Sequence, residues 1–218
     1  MKIWSEVLNQ KVSKPFIVVL TGPSGVGKSS VTRELMRRKK DLVYSVSVTT
    51  RKIREGEVDG EDYFFVTREG FTDLIENDEL IEWAEVYGEF YGTPKKYIER
   101  LFERGKHVLI DADTQGGTRL RARFEDGVFI FLLPPSFEVL IERLHRRGTD
   151  SEEVKQKRIE SAGRELEEVS KYTYAVVNDV LEETVQCVLA IISSEEQKVG
   201  RVSDLSGWID RLKGMAVP

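Results

Sequence analysis

The chain has 218 residues, 40% of them hydrophobic and 33% charged, with 33 basic against 38 acidic side chains for a formal charge of −5. It holds no apolar run approaching the ~18 residues that a membrane-spanning helix needs, and its acidic balance argues against a nucleic-acid partner. The opening MKIWSEVLNQ places Glu6, Asn9 and Gln10 where a secretory signal carries its apolar stretch, so a soluble, cytoplasmic protein is expected. The single cysteine, Cys187, lies in the apolar run VQCVLAII and reads as a small buried hydrophobe.

Residues 16–20, FIVVL, form a continuous apolar run between Pro15 and Gly22, the pattern of a strand buried on both faces of a parallel sheet. Further apolar or β-branched runs at 44–50, 107–112, 128–133 and 174–178 alternate with helix-like segments near 28–39, 94–104, 136–147 and 181–194. That alternation predicts an α/β fold of three layers around a parallel central sheet. Thr93-Pro94 reads as N-cap and first-turn proline of one helix, and Ser151-Glu152-Glu153 as the start of another. Between Arg51 and Thr93 the texture changes: YFFV, LIEWAEVY and EFYG suggest short antiparallel strands around a helix near 68–76. The expected organisation is an N-terminal extension over 1–15, one domain over 16–193 and a tail over 194–218. Within the domain, 51–93 reads as an insertion and the charged stretch 145–158 as a lid; 16–50, 94–144 and 159–193 form the core.

The segment Gly22-Pro23-Ser24-Gly25-Val26-Gly27-Lys28-Ser29 satisfies G-x-x-x-x-G-K-[ST] and stands directly after a predicted strand and before a predicted helix. Glycines let successive N–H groups turn inward around phosphate oxygens, and the helix N-terminus adds a favourable field. Lys28 supplies a positive charge for the β- and γ-phosphates, and Ser29 with Asp111, at the end of the strand HVLID, offers oxygen ligands to Mg²⁺. Ser30 completes the loop's exit into the helix. A bound nucleotide is expected, and the loop by itself leaves open which one.

Beyond the loop the chain resembles guanylate kinases, through SVTTRKIREGEVDGEDYFF (47–65), LIEWAEVYGEFYGT (80–93), LIDADTQG (109–116), RRGTDSEE (146–153) and VVND (176–179). The resemblance runs from about Phe16 to Ser193. It implies a phosphate-loop kinase passing the γ-phosphoryl group of ATP to GMP, with tolerance of dGMP and the choice between monomer and homo-oligomer left open. Arg51, Arg54, Tyr63 and Tyr91 match the family's ligands of the acceptor phosphate; on spacing alone they read equally well as surface arginines and half-buried tyrosines. Glu82 and Asp113 match the carboxylates facing guanine N1 and N2, and Ser47 and Thr93 the hydroxyls near O6. Guanine presents donors at N1 and N2 and an acceptor at O6, so this donor and acceptor set suits it and opposes adenine. From pattern alone, Glu82 reads as the solvent-facing member of an alternating strand. Arg143, Arg147 and Arg158 match arginines around the transferring phosphate, and Asn178 a position on the adenine side. Val48 and Gly117 depart from the family's commonest residues, a serine and a larger side chain respectively.

Two other readings share part of this pattern. A non-catalytic guanylate-kinase-like interaction module would tolerate loss of Lys28, Ser29 and Asp111, all of which are present. Another phosphate-loop small-molecule kinase would need no guanine-reading set. His107 and His145 read as a strand-edge and a helix-surface residue without a catalytic partner.

Overall fold

The computed structural model describes residues 13–86, 88–145 and 152–215. Its central sheet runs in the order β2-β7-β1-β8-β9, comprising β1 (Ile17–Thr21), β2 (Leu42–Tyr44), β7 (His107–Asp111), β8 (Val128–Leu133) and β9 (Tyr174–Val177). Every neighbouring pair in it is parallel. Side chains alternate across a strand, so Val18 and Leu20 of β1 face one layer while Ile17 and Val19 face the other. Helices α1 (Lys28–Arg38) and α7 (Leu181–Glu196) cover the first face through Val31, Leu35, Val185, Val188 and Ile192. Helices α3 (Lys95–Glu103) and α4 (Thr114–Arg123) cover the second through Ile98, Leu101 and Leu120. Both faces are therefore dry, which is why β1 is apolar at successive positions rather than at every second one.

A second sheet has the order β4-β3-β6-β5, built from β3 (Ser47–Thr49), β4 (Tyr63–Phe65), β5 (Leu80–Val86) and β6 (Glu89–Pro94). Helix α2 (Arg68–Glu76) inserts Phe71 between Val48 and Leu80 as the core of this layer. The expected single strand over 44–50 is thus divided: Leu42–Tyr44 pairs with β7 in the central sheet, whereas Ser47–Thr49 pairs with β4 and β6. The switch falls at buried Ser45 and Val46. β4 is parallel to β3, not antiparallel as its hairpin-like surroundings suggest, while β5 and β6 are antiparallel as expected.

Several local expectations are corrected by packing. Thr93 belongs to β6 and caps nothing; α3 starts at Lys95 with Pro94 as its N-cap, and the Thr93 hydroxyl is used elsewhere. His107 is 3% exposed in an internal strand, its Nδ1 accepting from the Phe16 amide at 3.3 Å and its ring 4.1 Å from that of Phe16. Cys187 is exposed, because α7 turns Thr184, Val185, Val188 and Ile192 inward and leaves position 187 on its outer side. Gly117 has a packing reason: a Cβ there would stand 2.6 Å from the Tyr172 hydroxyl and 2.7 Å from Thr21 Cγ2.

The remaining helices are α5 (Phe137–His145), α6 (Glu152–Glu167) and α8 (Leu205–Met215). His145, the last residue of α5, is exposed. The tail folds back on the start of β1: Lys14 donates its amide to the Arg201 carbonyl at 2.7 Å, and the Arg201 guanidinium sits 4.1 Å from the Phe16 ring centroid while pairing with Glu195 at 2.9 Å. Arg146, Arg147 and Ser151 lie outside the described residues. No helix among the described residues is long and apolar enough to cross a membrane.

Candidate active site

The phosphate loop leaves β1 at Thr21 and enters α1 at Lys28. Gly22 and Gly27 take φ of 139° and 100°, in the left-handed region, and side chains there would also collide with the Leu132 carbonyl and with Asn178. No side chain caps α1 and no acid stands in its first turn, so its leading N–H groups and positive end are left for an anion. Ser29 and Ser30 are exposed at that first turn. The Lys28 ammonium curls back over the loop and donates to the Gly22 carbonyl at 2.7 Å.

Three elements brace the loop from outside. Asn178, just past β9, is 5% exposed; its Nδ2 donates to the Val26 carbonyl at 2.7 Å and its Oδ1 accepts from the Thr184 hydroxyl at 2.9 Å. Arg143 of α5 donates to the carbonyls of Asn178 at 2.9 Å and Val26 at 3.3 Å. From α6, Arg158 donates to the Ser24 hydroxyl at 3.1 Å, and Glu165 accepts from the Ser24 amide at 3.1 Å. Positions 158 and 165 are two turns apart on one helix face, so α6 grips one loop residue through both its hydroxyl and its main chain.

A cleft opens between the C-terminal end of β7 and the second sheet, lined among others by Ser47, Tyr63, Glu82, Tyr91, Asp111 and Asp113. Thr93 also borders it. Asp111 ends the strand beside β1, in register with Leu20, so the cleft lies next to the strand that carries the phosphate loop. Asp113 is the N-cap of α4, its Oδ1 accepting from the Gly116 amide at 2.6 Å. Glu82 of β5 accepts from the Thr93 hydroxyl at 2.7 Å. Burial pushes the Glu82 carboxyl up from its ordinary value, more than the Thr93 hydrogen bond and the charge of Arg119 pull it down. Burial likewise pushes the Tyr63 phenol up, with Tyr91 and Asp111 adding to the shift.

Arg51 stands at the rim of this cleft. Its guanidinium makes two bonds to the Glu57 carboxylate, at 2.7 and 3.0 Å, and lies 5.3 Å from the Tyr63 ring centroid. Tyr63 and Tyr91 meet edge to face at 6.0 Å. Arg54 is exposed, and its amide donates to the same Glu57 carboxylate at 2.8 Å. The structure thus gathers Ser47, Tyr63, Glu82, Tyr91, Thr93, Asp111 and Asp113 around one space, sets Arg51 at its edge and leaves Arg54 outside the lining. Arg147 falls outside the described residues.

Sequence reasoning passed over Tyr44, Glu57, Glu165 and Arg119. Tyr44 lines the cleft, with its phenol pushed up by burial and by the charge of Asp111. The signal for Arg119 was its spacing: three residues after Gly116 it shares that residue's helix face, which borders Glu82.

The guanylate kinase family model matches residues 14–195. A guanylate kinase from Caldanaerobacter subterraneus subsp. tengcongensis is 47% identical over 189 residues, covering 87% of this chain and 92% of the relative. One from Carboxydothermus hydrogenoformans is 43% identical over 190 residues, covering 87% and 93%. The crystal structure of guanylate kinase from Anaplasma phagocytophilum superposes with a TM-score of 0.77 at 36% identity, covering 92% of this chain and 96% of that one. With its phosphate loop at the end of β1 and its carboxylate-lined cleft between the neighbouring β7 and the second sheet, this chain belongs to the guanylate kinase family.

Proposed function

We propose that the protein transfers the γ-phosphoryl group of ATP to GMP, giving ADP and GDP, with Mg²⁺ as the metal. The observation that carries this reading is the convergence of Glu82, Asp113 and Ser47 on one cleft beside the phosphate-loop strand. Asp113 keeps one carboxylate oxygen on the Gly116 amide and Glu82 one on Thr93, which leaves acceptor capacity on both for the donors at guanine N1 and N2. Because Thr93 donates to Glu82, Ser47 is the hydroxyl that answers O6. A base with the opposite polarity at that edge leaves these groups unpaired, which costs specificity factors on the order of 10⁴.

Tyr63, Tyr91 and Arg51 surround the acceptor phosphate in this reading, and Arg51 exchanges its Glu57 partner for the phosphate on binding. Lys28 leaves the Gly22 carbonyl for the phosphates of ATP. The acceptor oxygen is already anionic, so no general base is needed; catalysis rests on alignment and on cancelling charge as the phosphoryl group passes across. Arg143 and Arg158 stand at the loop, and Arg147 joins them in the family pattern. Ser29 and Asp111 are hard oxygen donors of the kind magnesium prefers, and an ion held there would supply charge neutralisation on the phosphates.

A coupled ADP-release assay with ATP and Mg²⁺, offering GMP, AMP, CMP and UMP in parallel, tests the reading. Turnover with GMP alone and its collapse in Glu82→Gln are expected. A folded protein that binds ATP and turns over none of the four, or prefers AMP, would overturn it.

A further inference from the structure

We propose that Arg119 of α4 is a positioning residue for base selection, acting as the counter-ion that holds Glu82 as a carboxylate in the acceptor cleft. The inference rests on the guanine-reading role given to Glu82 above and extends it to a residue outside the cleft. Glu82 has 12% of its side chain exposed, and its Oε2 lies 3.6 Å from Arg119 Nε. Among the described residues, its other oxygen has the neutral Thr93 hydroxyl as its hydrogen-bond partner. A carboxylate so withdrawn from water is favoured in its charged form by a nearby cation. Arg119 is the cation in ion-pair reach of it among the described residues.

Arg119 Nε and Nη2 are shielded from solvent and have no hydrogen-bond partner among the described residues. Helix α4 makes the approach possible because Gly116, one turn earlier on the same face, carries no side chain: a Cβ there would stand 3.8 Å from Glu82 Oε2. The charged groups near Glu82 are few. Asp113, at the N-cap of α4, favours its protonated form, while Arg119 on the same helix and Thr93 on β6 oppose that. The groove behind Glu82 is lined by Asp78, Glu85, Arg119 and Arg123. The charge of the base reader is thereby supported from outside the cleft, against the burial that opposes it. A protonated Glu82 presents a donor where the carboxylate accepts from guanine, so loss of its charge is loss of the acceptor base.

The test is the acid limb of kcat/KM for GMP in the wild type and in Arg119→Lys, Arg119→Gln and Arg119→Glu, with melting temperatures measured alongside. GMP's own titration is common to all four and cancels in the comparison. The limb is expected to move to higher pH in the order Lys, Gln, Glu, with Gln displaced by at least about half a pH unit, since removing a nearby cation raises a carboxyl group. Arg119→Lys retains the charge and restores most of the wild-type profile. The order needs only two folded variants, so failure of one to fold leaves the comparison intact. Coincident limbs, or losses uniform across pH, would overturn the role of Arg119 while leaving the GMP reading in place. Absence of GMP turnover in the wild type itself would remove that reading, and this inference with it.

Discussion

Asn178 donates its side-chain amide to the Val26 carbonyl at 2.7 Å, so the end of β9 fastens the middle of the phosphate loop. The carboxamide oxygen is in turn held by Thr184 of α7, which ties the loop to a helix that covers the first face of the central sheet. Asn178→Ala should lose about 1–3 kcal/mol of stability, the cost of stranding buried polar groups. It should also raise KM for ATP more than KM for GMP, because the loop loses its shape before the cleft does. Urea unfolding and initial-rate kinetics check both; unchanged values in both would show that Arg143, Arg158 and Glu165 suffice as braces.

Among the described residues, Lys28 bonds to carbonyls of its own loop, so replacing it leaves the core untouched. Lys28→Met should therefore melt within a few degrees of the wild type while kcat falls by at least about a hundredfold, the size seen when one positioned donor to developing charge is removed. A rate within threefold of the wild type would refute the charge role given to this lysine.

The charge of Glu82 carries a cost in stability. Its carboxyl is pushed up by burial in the folded chain relative to the value of 4.5 it has when exposed. A carboxyl raised on folding costs nothing when protonated in both states and imposes its penalty as pH climbs through the folded value. Glu82→Gln should thus be more stable than the wild type at pH 7.5, by about 2 °C in Tm for under 1 kcal/mol in a chain of this size. The gain should vanish at pH 4. Thermal melts at the two pH values decide it: an equal difference at both would mean that the charge of Glu82 is not what the fold pays for.

Gly117 is crowded by a hydroxyl, not by backbone strain. Gly117→Ala should destabilise the protein by about 1–3 kcal/mol, as overpacking does, because the new Cβ meets Tyr172 Oη and Thr21 Cγ2. Tyr172→Phe removes one of the two obstructions, so the double variant should recover part of the loss. Additive losses in a double-mutant cycle measured by urea unfolding would rule out the contact as the cause.

The strand-loop-helix unit from Ile17 to Arg38 is legible in the chain alone, since its signals are local: an apolar run, glycines at the positions of positive φ, a lysine and a helix start. The acceptor residues were legible only by resemblance. Glu82 and Ser47 sit in strands whose alternation is satisfied equally by solvent or by a cleft, and Asp113 looks like any N-cap, which it also is.

What tertiary structure decided follows from one physical limit: side-chain periodicity says which residues share a face but not what the face meets. The run 44–50 has a single strand pattern yet serves two sheets, because its two halves find different partners. His107 and Cys187 exchange their expected environments, the one drawn into an internal strand and the other turned outward by the registry of α7. The sequence by itself determined the phosphate loop, the parallel layering and the kinds of groups available to an acceptor. Only the folded chain brought Glu57 to Arg51, Asn178 to Val26 and Arg119 to Glu82. The last two are contacts across 152 and 37 positions of sequence, and such pairings are set by the packing of whole elements rather than by the pattern within any one of them.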